Sequence, residues 1–302
     1  MYHNPVMLKE SVDGLNIRPD GIYVDVTFGG GGHSRAILDK LDSNGRLIAF
    51  DQDSDALPNA FNDPRFTLIH QNFKYLKNFL RLHQASKVDG LIADLGVSSH
   101  QFDIPERGFS TRFDGDLDAR MDKRNERTAA TLVNTYSLTD LTKIFRLYGE
   151  LKNAYKISKR ILEARSLAPI NTNEELKVCL APLAQRNREN KFFAQVFQAL
   201  RIEVNEELDA LESLLKQSEE VLKPGGRLVF LSYHSLEDRL VKNFIKSGNF
   251  EGALEKDFYG NIISPFKGIT RKPLIASEKE IDTNSRARSA KLRIAERNNE
   301  QS

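Results

Sequence analysis

Residues 24–34 read VDVTFGGGGHS, a short apolar run that breaks into four consecutive glycines, and the rest of the chain is best understood outward from this break. The run 22–26 carries Asp25 close to its end. A buried strand that turns into a helix through glycine lets backbone N–H groups approach a ligand closely, because no Cβ stands in the way and a positive φ costs little. A second apolar run, 47–50, ends on Asp51, the position from which a carboxylate grips a ribose diol in a βαβ nucleotide fold. Glycine loop and following acid together point to a nucleotide-type cradle.

Which nucleotide the loop suits is open from the glycines alone. Thr27, Gly29 and Gly32 fit dinucleotide spacing with one substitution, while Asp25, Thr27, Gly29 and Gly31 fit the S-adenosylmethionine pattern equally well. Charge separates the two. The run 88–95, VDGLIADL, is a fourth strand that ends on Asp94, so three strand ends bring Asp25, Asp51 and Asp94 toward one crevice. Such crowding is costly unless the ligand carries a positive centre or hydroxyl donors. A sulfonium cofactor has both, an anionic pyrophosphate has neither advantage, and no second glycine-rich loop is present for phosphates.

The bulk numbers set limits. A chain of 302 residues with 40% hydrophobic content buries a sizeable core, as one large domain or two modest ones. No stretch approaches the apolar length of a membrane span, and MYHNPVMLKES has no basic segment leading into an apolar one, so a cytoplasmic protein is expected. The single cysteine, Cys179, has no disulfide partner, and the six histidines show no paired ligand spacing, so no metal is expected. A net charge of +2 does not mark a nucleic-acid binder, because the relevant footprint is a cluster. Two clusters exist: Arg286, Arg288, Lys291 and Arg293 in NSRARSAKLR, and Lys152, Lys156, Lys159 and Arg160 on one helical face.

In chain order, 2–9 form an extended lead-in with His3 and Pro5. A helix at 34–41, an Asn44-Gly45 turn and a strand at 46–51 complete the βαβ unit, and a third strand follows at 66–70. Phe73 lies just past it, placed to pack on an adenine or on the core, and opens a helical pattern to Leu82. Residues 107–121 are an arginine-rich, glycine-punctuated loop. Helical patterns at 128–134, 138–147, 150–165 and 173–181 then run without a convincing strand, which marks a helical insertion. The stripe Phe193, Phe197, Leu200, Val204, Leu208, Leu211 and Leu215 predicts a helix over 192–221, about 45 Å long if unbroken. Pro224-Gly225-Gly226 stops it before a fifth strand at 227–232. Tyr233 and His234 lie at that strand's end, with Ser235 as the expected N-cap of the next helix and Glu237 and Asp238 in its first turn. GITRKP and ARSAKLRIAE offer two last strands, and NNEQS is a tail.

Seven stretches together resemble one family, the bacterial methyltransferases that modify the N4 amine of a cytosine in small-subunit (16S) ribosomal RNA. They are HNPVML at 3–8, VDVTFGGGGHS at 24–34, DLGVSSHQFD at 94–103, ERGFS at 106–110, FQALRIEVNEEL at 197–208, PGGRLVFLSYHSLEDR at 224–239 and NSRARSAKLR at 284–293. The resemblance implies an α/β fold, a Rossmann-like class I methyltransferase sheet formed by 1–110 and 216–302, with an all-helical substrate-recognition domain inserted at 111–215. It implies S-adenosylmethionine held by Gly31, Gly32, His33, Asp51, Phe73, Asp94 and Gln101, and 16S ribosomal RNA within the small subunit as partner. Whether the chain works as a homo-oligomer is left open by it. Two departures stand out: Phe192 to Val196 replace a usual His-Pro-Ala-Thr-Arg, and Tyr233 replaces a usual phenylalanine. The Asp-Pro-Pro-aromatic tetrapeptide of many amino-group methyltransferases is absent, with DLGVSS in its place.

An exocyclic cytosine amine is a weak nucleophile, so the site should hold it in line with the sulfonium methyl and accept one N–H bond. Asp94 is the first candidate acceptor and His234 the second. The base must also leave its stack to reach them. The rival readings are an NAD-dependent oxidoreductase built on the same βαβ unit and a non-catalytic RNA-binding or ribosome-assembly protein.

Overall fold

The structure, a computed structural model, describes residues 5–299; His3 and the last three residues of the NNEQS tail lie outside it. The chain forms two compact units, one from the residues up to Gly96 and from Leu208 onward, the other from Val97–Glu207.

The first unit is built on a seven-stranded sheet in the order β3-β2-β1-β4-β5-β7-β6. Its strands are β1 (Ile22–Asp25), β2 (Arg46–Asp51), β3 (Phe66–His70), β4 (Val88–Asp94), β5 (Leu222–Ser232), β6 (Phe266–Gly268) and β7 (Lys291–Arg297). The first five are mutually parallel, and β7 runs antiparallel between β5 and β6. Alternation along the strands splits their side chains between two faces. Val24, Ile48, Leu91, Ala93, Leu228 and Phe230 pack on one side, Tyr23, Leu47, Ala49, Ile92, Val229 and Leu231 on the other. The second face is covered by α1 (Leu8–Gly14) and α2 (Gly32–Leu38) through Val12, Ile37 and Leu38. The first face is covered by α3 (Leu76–Leu82) through Leu76 and Leu80, and by the helices that return after the second unit.

The second unit is helical: α4 (Ser99–Asp103), α5 (Ala129–Thr135), α6 (Leu138–Leu147), α7 (Ala154–Arg165), α8 (Asn173–Leu180) and α9 (Glu189–Asn205). Its core gathers Leu132, Leu141, Phe145, Ile157, Ile161, Leu176, Val196 and Leu200. Thr128, Ser137 and Thr172 cap α5, α6 and α8 through their side chains, which is why these starts were legible. The loop 107–121 is ordered by burial. Phe109, Leu117 and Met121 enter the core, and Asn205 ties the loop down by accepting from Met121 N (2.7 Å) and donating to Ala119 O (2.8 Å).

Five features differ from the sequence reading. Leu8 and Lys9, expected in the extended lead-in, open a helix over 8–14, because Met7 turns the chain in a left-handed conformation (φ 47°). The helix expected over 192–221 is two helices, α9 and α10 (Glu207–Val221), separated at Glu206, whose φ of 51° ends the first. That break, and the helix starting directly after Ser98, give the compact helical unit the bounds 97–207 where the pattern had suggested 111–215. In the stretch expected to stop a helix, Pro224-Gly225-Gly226 lies within β5. The cap of α11 (Ser235–Ser247) is His234 and not Ser235. A last short helix, α12 (Glu278–Thr283), precedes β7.

Candidate active site

The sheet order reverses between β1 and β4, and in open parallel sheets ligands bind outside the carboxyl ends of the strands at such a point. Asp25, Asp51 and Asp94 end β1, β2 and β4. Between β1 and α2 the glycines shape the turn. Gly31 has φ +76°, and a Cβ there would meet the Phe61 and Phe28 rings at 2.8 and 3.0 Å; one on Gly32 would overlap Pro5 Cγ at 2.1 Å. Substitution at either is therefore opposed by packing, and at Gly31 by backbone strain as well.

The three carboxylates are held differently. Asp25 is fully buried and accepts from Ser34 Oγ at 2.7 Å and Thr27 N at 3.0 Å; burial pushes its carboxyl above the usual range despite those bonds. Asp51 accepts from Gly29 N at 2.7 Å on one oxygen and Asp53 N at 2.8 Å on the other. Burial raises it to about 6, with Asp53 and Asp25 adding to the effect. Each of its oxygens keeps a further acceptor direction, so the pair can receive two adjacent hydroxyls. Asp94 accepts from Tyr233 OH at 2.6 Å, and its other oxygen stands 3.8 Å from His33 Nδ1. Burial again dominates and raises its pKa, while His33 and Tyr233 oppose the rise. No lysine or arginine pairs with any of the three among the described residues.

His33 is buried, and its Nε2 lies 3.2 Å from Val6 O, an acceptor only, which assigns the proton to that nitrogen. Thr27 links two strand ends, since its hydroxyl accepts from Asp94 N at 2.7 Å. Phe73 opens a short turn capped by Asn72 and is half-buried against the core beneath the sheet. His234 caps α11, accepting from Glu237 N at 3.5 Å on Nδ1. Its Nε2 lies 3.1 Å from Glu237 Oε1, outside hydrogen-bond geometry, so the ring is engaged with its own helix start. Gln101 belongs to the helical unit, buried there and exchanging bonds with Ser98 in a capping box.

The structure thus brings Gly31, Gly32, His33, Asp51, Phe73, Asp94 and His234 to one side of the sheet unit, and seats Gln101 in the other unit. Sequence reasoning missed Tyr233 as a partner of Asp94 and Asn59 as a donor to Gly29 O at 3.0 Å. Tyr233 had left a signal, its replacement of a phenylalanine; Asn59 had left none. The basic segment 284–293 also reads differently. Lys291 and Arg293 both bind Asp238, at 3.2 and 2.7 Å, Arg286 is half-buried with partners of its own, and Arg288 is exposed. On α7, Arg160 donates to Cys179 O at 3.1 Å, whereas Lys156 and the preceding Lys152 are exposed.

The profile of the MraW methylase family matches residues 1–298. The chain belongs to the MraW methylase family. A Flavobacterium johnsoniae protein named ribosomal RNA small subunit methyltransferase H is 60% identical to this methylase over 296 residues, covering 98% of each chain. A Bacteroides thetaiotaomicron protein of the same name is 58% identical, covering 98% of this chain and 97% of the relative. Among solved structures, an rRNA methylase from Streptococcus thermophilus superposes with a TM-score of 0.41 at 14% identity, over 99% of each chain, too loose a match to argue from. No helix among the described residues of this methylase is long and apolar enough to cross a membrane.

Proposed function

We propose that this protein transfers a methyl group from S-adenosylmethionine to small-subunit ribosomal RNA, at the N4 amine of a cytosine. The observation that carries the reading is the strand-end geometry: one buried and two half-buried acids, with no lysine or arginine partner among the described residues, arranged around a left-handed glycine turn. The 60% identity to a small-subunit ribosomal RNA methyltransferase supports it, and the cytosine N4 target rests on the family resemblance of the motifs quoted above.

S-adenosylmethionine supplies a methyl group made electrophilic by its sulfonium. Asp51 binds the ribose diol through the acceptor directions its two amide bonds leave free, and Gly31 and Gly32 let the backbone approach. Phe73 flanks the adenine. Asp94 accepts an N–H bond from the amine, which draws the nitrogen lone pair out of the ring and toward the methyl carbon. As the N–C bond formed, the methyl–sulfur bond would break, its electron pair going to sulfur and the neutral thioether S-adenosylhomocysteine leaving, and the amine would give up one proton, for which Asp94 is the first acceptor and His234 the second. His33 and Tyr233 hold the Asp94 carboxylate in place. Gln101 is read as a further cofactor contact, and the helical unit 97–207 as the part that recognises RNA, with Lys152 and Lys156 as its exposed cations. The substrate is read as RNA assembled in the small subunit.

The test is labelled methyl transfer from S-adenosylmethionine to naked 16S RNA and to small-subunit particles, followed by nucleoside analysis. N4-methylcytidine formed on particles is the expected product. Binding of RNA with no methyl incorporation would support an assembly protein instead.

A further inference from the structure

Residues 254–272, LEKDFYGNIISPFKGITRK, leave the sheet unit after α11 and return along its edge strand β6. The tip is a built hairpin. Lys256 and Ile262 form an antiparallel bridge, Asp257 N donates to Asn261 O at 2.9 Å, and Ile263 N donates to Glu255 O at 2.9 Å. Gly260 makes the turn at φ +86°, and the Asp257 carboxylate accepts from Tyr259 N and Asn261 N at 2.9 Å and from Asn261 Nδ2 at 3.0 Å. This turn presents two aromatic rings to solvent: Phe258 is 98% exposed and Tyr259 86%, edge to face at 5.6 Å.

Rings so displayed contribute nothing to the core, and the segment around them is basic. Lys256, Lys267, Arg271 and Lys272 are all exposed and form no ion pair among the described residues. Of the two acids in the segment, Asp257 is occupied inside the turn. Unpaired cations beside exposed rings complement a polyanion whose bases have flat faces, since stacking on aromatic side chains combined with backbone charge contacts is how unpaired nucleic acid is held. An apolar protein partner has no use for the cations.

We infer that this hairpin is an RNA-binding element, with Phe258 and Tyr259 stacking on unpaired bases of the substrate and Lys256, Lys267, Arg271 and Lys272 meeting its phosphates. The inference rests on the reading of the protein as a ribosomal RNA methyltransferase and adds a contact outside the reaction centre.

The chain contains no tryptophan, so Phe258→Trp places its sole indole at the tip. Titration of that full-length variant with 16S RNA should quench the indole emission, as stacking on a base does. Phe258→Ala/Tyr259→Ala should bind the RNA roughly tenfold more weakly with an unchanged salt slope, because stacking releases no counterions. Its affinity for S-adenosylmethionine should equal the parent's. Indole emission indifferent to saturating RNA, with parental RNA affinity in the double variant, would overturn the inference. So would a blue shift on phosphatidylglycerol vesicles without a response to RNA. Failure of the underlying reading is distinguishable, since it appears as absent methyl transfer by the unaltered protein.

Discussion

Asp89 and Asp94 stand near opposite ends of β4, and their surroundings treat the two carboxylates in opposite ways. Asp89 receives Ile22 N at 2.8 Å, Lys223 Nζ at 2.9 and 3.0 Å, and the Arg18 guanidinium. Burial pushes its pKa up, but the Ile22 amide and the two cations outweigh that, and the net shift is downward. Asp94 has a phenol and a distant imidazole as neighbours and no cation of the lysine or arginine type, so burial prevails and its pKa is raised. The first arrangement stabilises the fold. The second costs stability, and the cost is relieved only when something that donates hydrogen bonds or carries positive charge arrives from outside. Asp25 and Asp51, at neighbouring strand ends, repeat the second pattern.

The sharpest test removes the carboxylate at each end of the strand in turn. Asp94→Asn should lower methyl transfer by at least roughly 100-fold, the range for removal of a positioned proton acceptor. Its melting temperature at pH 7 should not fall, because a carboxyl whose folded pKa is raised is destabilising once ionised. If Asp94→Asn melts as far below the parent as a change at Asp89 does, the two ends of the strand do not differ as described.

Asp89→Ala should do the reverse, losing about 1–2 kcal/mol of stability, chiefly by leaving the Ile22 amide without its acceptor, since the Arg18 and Lys223 side chains are 62% and 39% exposed and rehydrate, with S-adenosylmethionine affinity at the parental level. The pH dependence has a definite sign. A lowered folded pKa contributes stability that is present above the unfolded value of about 3.9 and is lost as pH falls through the folded one. Denaturant unfolding between pH 7 and pH 3 should therefore steepen in the parent below about pH 4 and lose that component in Asp89→Ala.

A smaller effect is expected at Asp51, raised to about 6. Ribose hydroxyls donate, so they bind the ionised form; affinity for S-adenosylmethionine should fall about tenfold from neutral pH to pH 5, and binding near pH 6 should release a fraction of a proton. Calorimetry in buffers of different ionisation enthalpy reads this release directly. Asp51→Ala should bind at least about tenfold more weakly at neutral pH and release none; retained proton release would move the titrating group elsewhere.

The strands and helices were legible because period and punctuation agreed. The expected strands 46–51 and 66–70 and the helix 138–147 coincide with β2, β3 and α6, and Asp25, Asp51 and Asp94 end their strands as the runs had implied. What was not legible has physical reasons. The break at Glu206 interrupts an apolar stripe that keeps its spacing on both sides, so no periodicity marks it. His234 rather than Ser235 caps α11 because an imidazole nitrogen can accept from the helix start as a hydroxyl does, one residue earlier than the stronger statistical cap. That Lys291 and Arg293 pair with Asp238 was not legible, because that partner lies far from them in sequence.

Tyr233 offers the smallest and most discriminating test, because it is the residue at which this chain departs from the usual phenylalanine and its hydroxyl reaches Asp94, the acid proposed to accept the amine proton. Its hydroxyl donates to Asp94 Oδ1 at 2.6 Å, and burial together with the Asp94 charge holds the phenol well above its ordinary pKa, so it stays a donor throughout the working range. A donor to the ionised carboxylate lowers the Asp94 pKa against the push of burial. Tyr233→Phe removes only that bond. The Asp94 pKa should then rise further, and the acid limb of the pH profile for kcat/KM should move upward by up to about one unit, with at most a roughly tenfold loss of rate at neutral pH. Cofactor affinity and melting temperature control for simple disruption. An acid limb that stays in place would mean that the carboxylate governing the profile is not the one Tyr233 touches, and the comparison between the two ends of β4 would then have to be redrawn around Asp25 or Asp51.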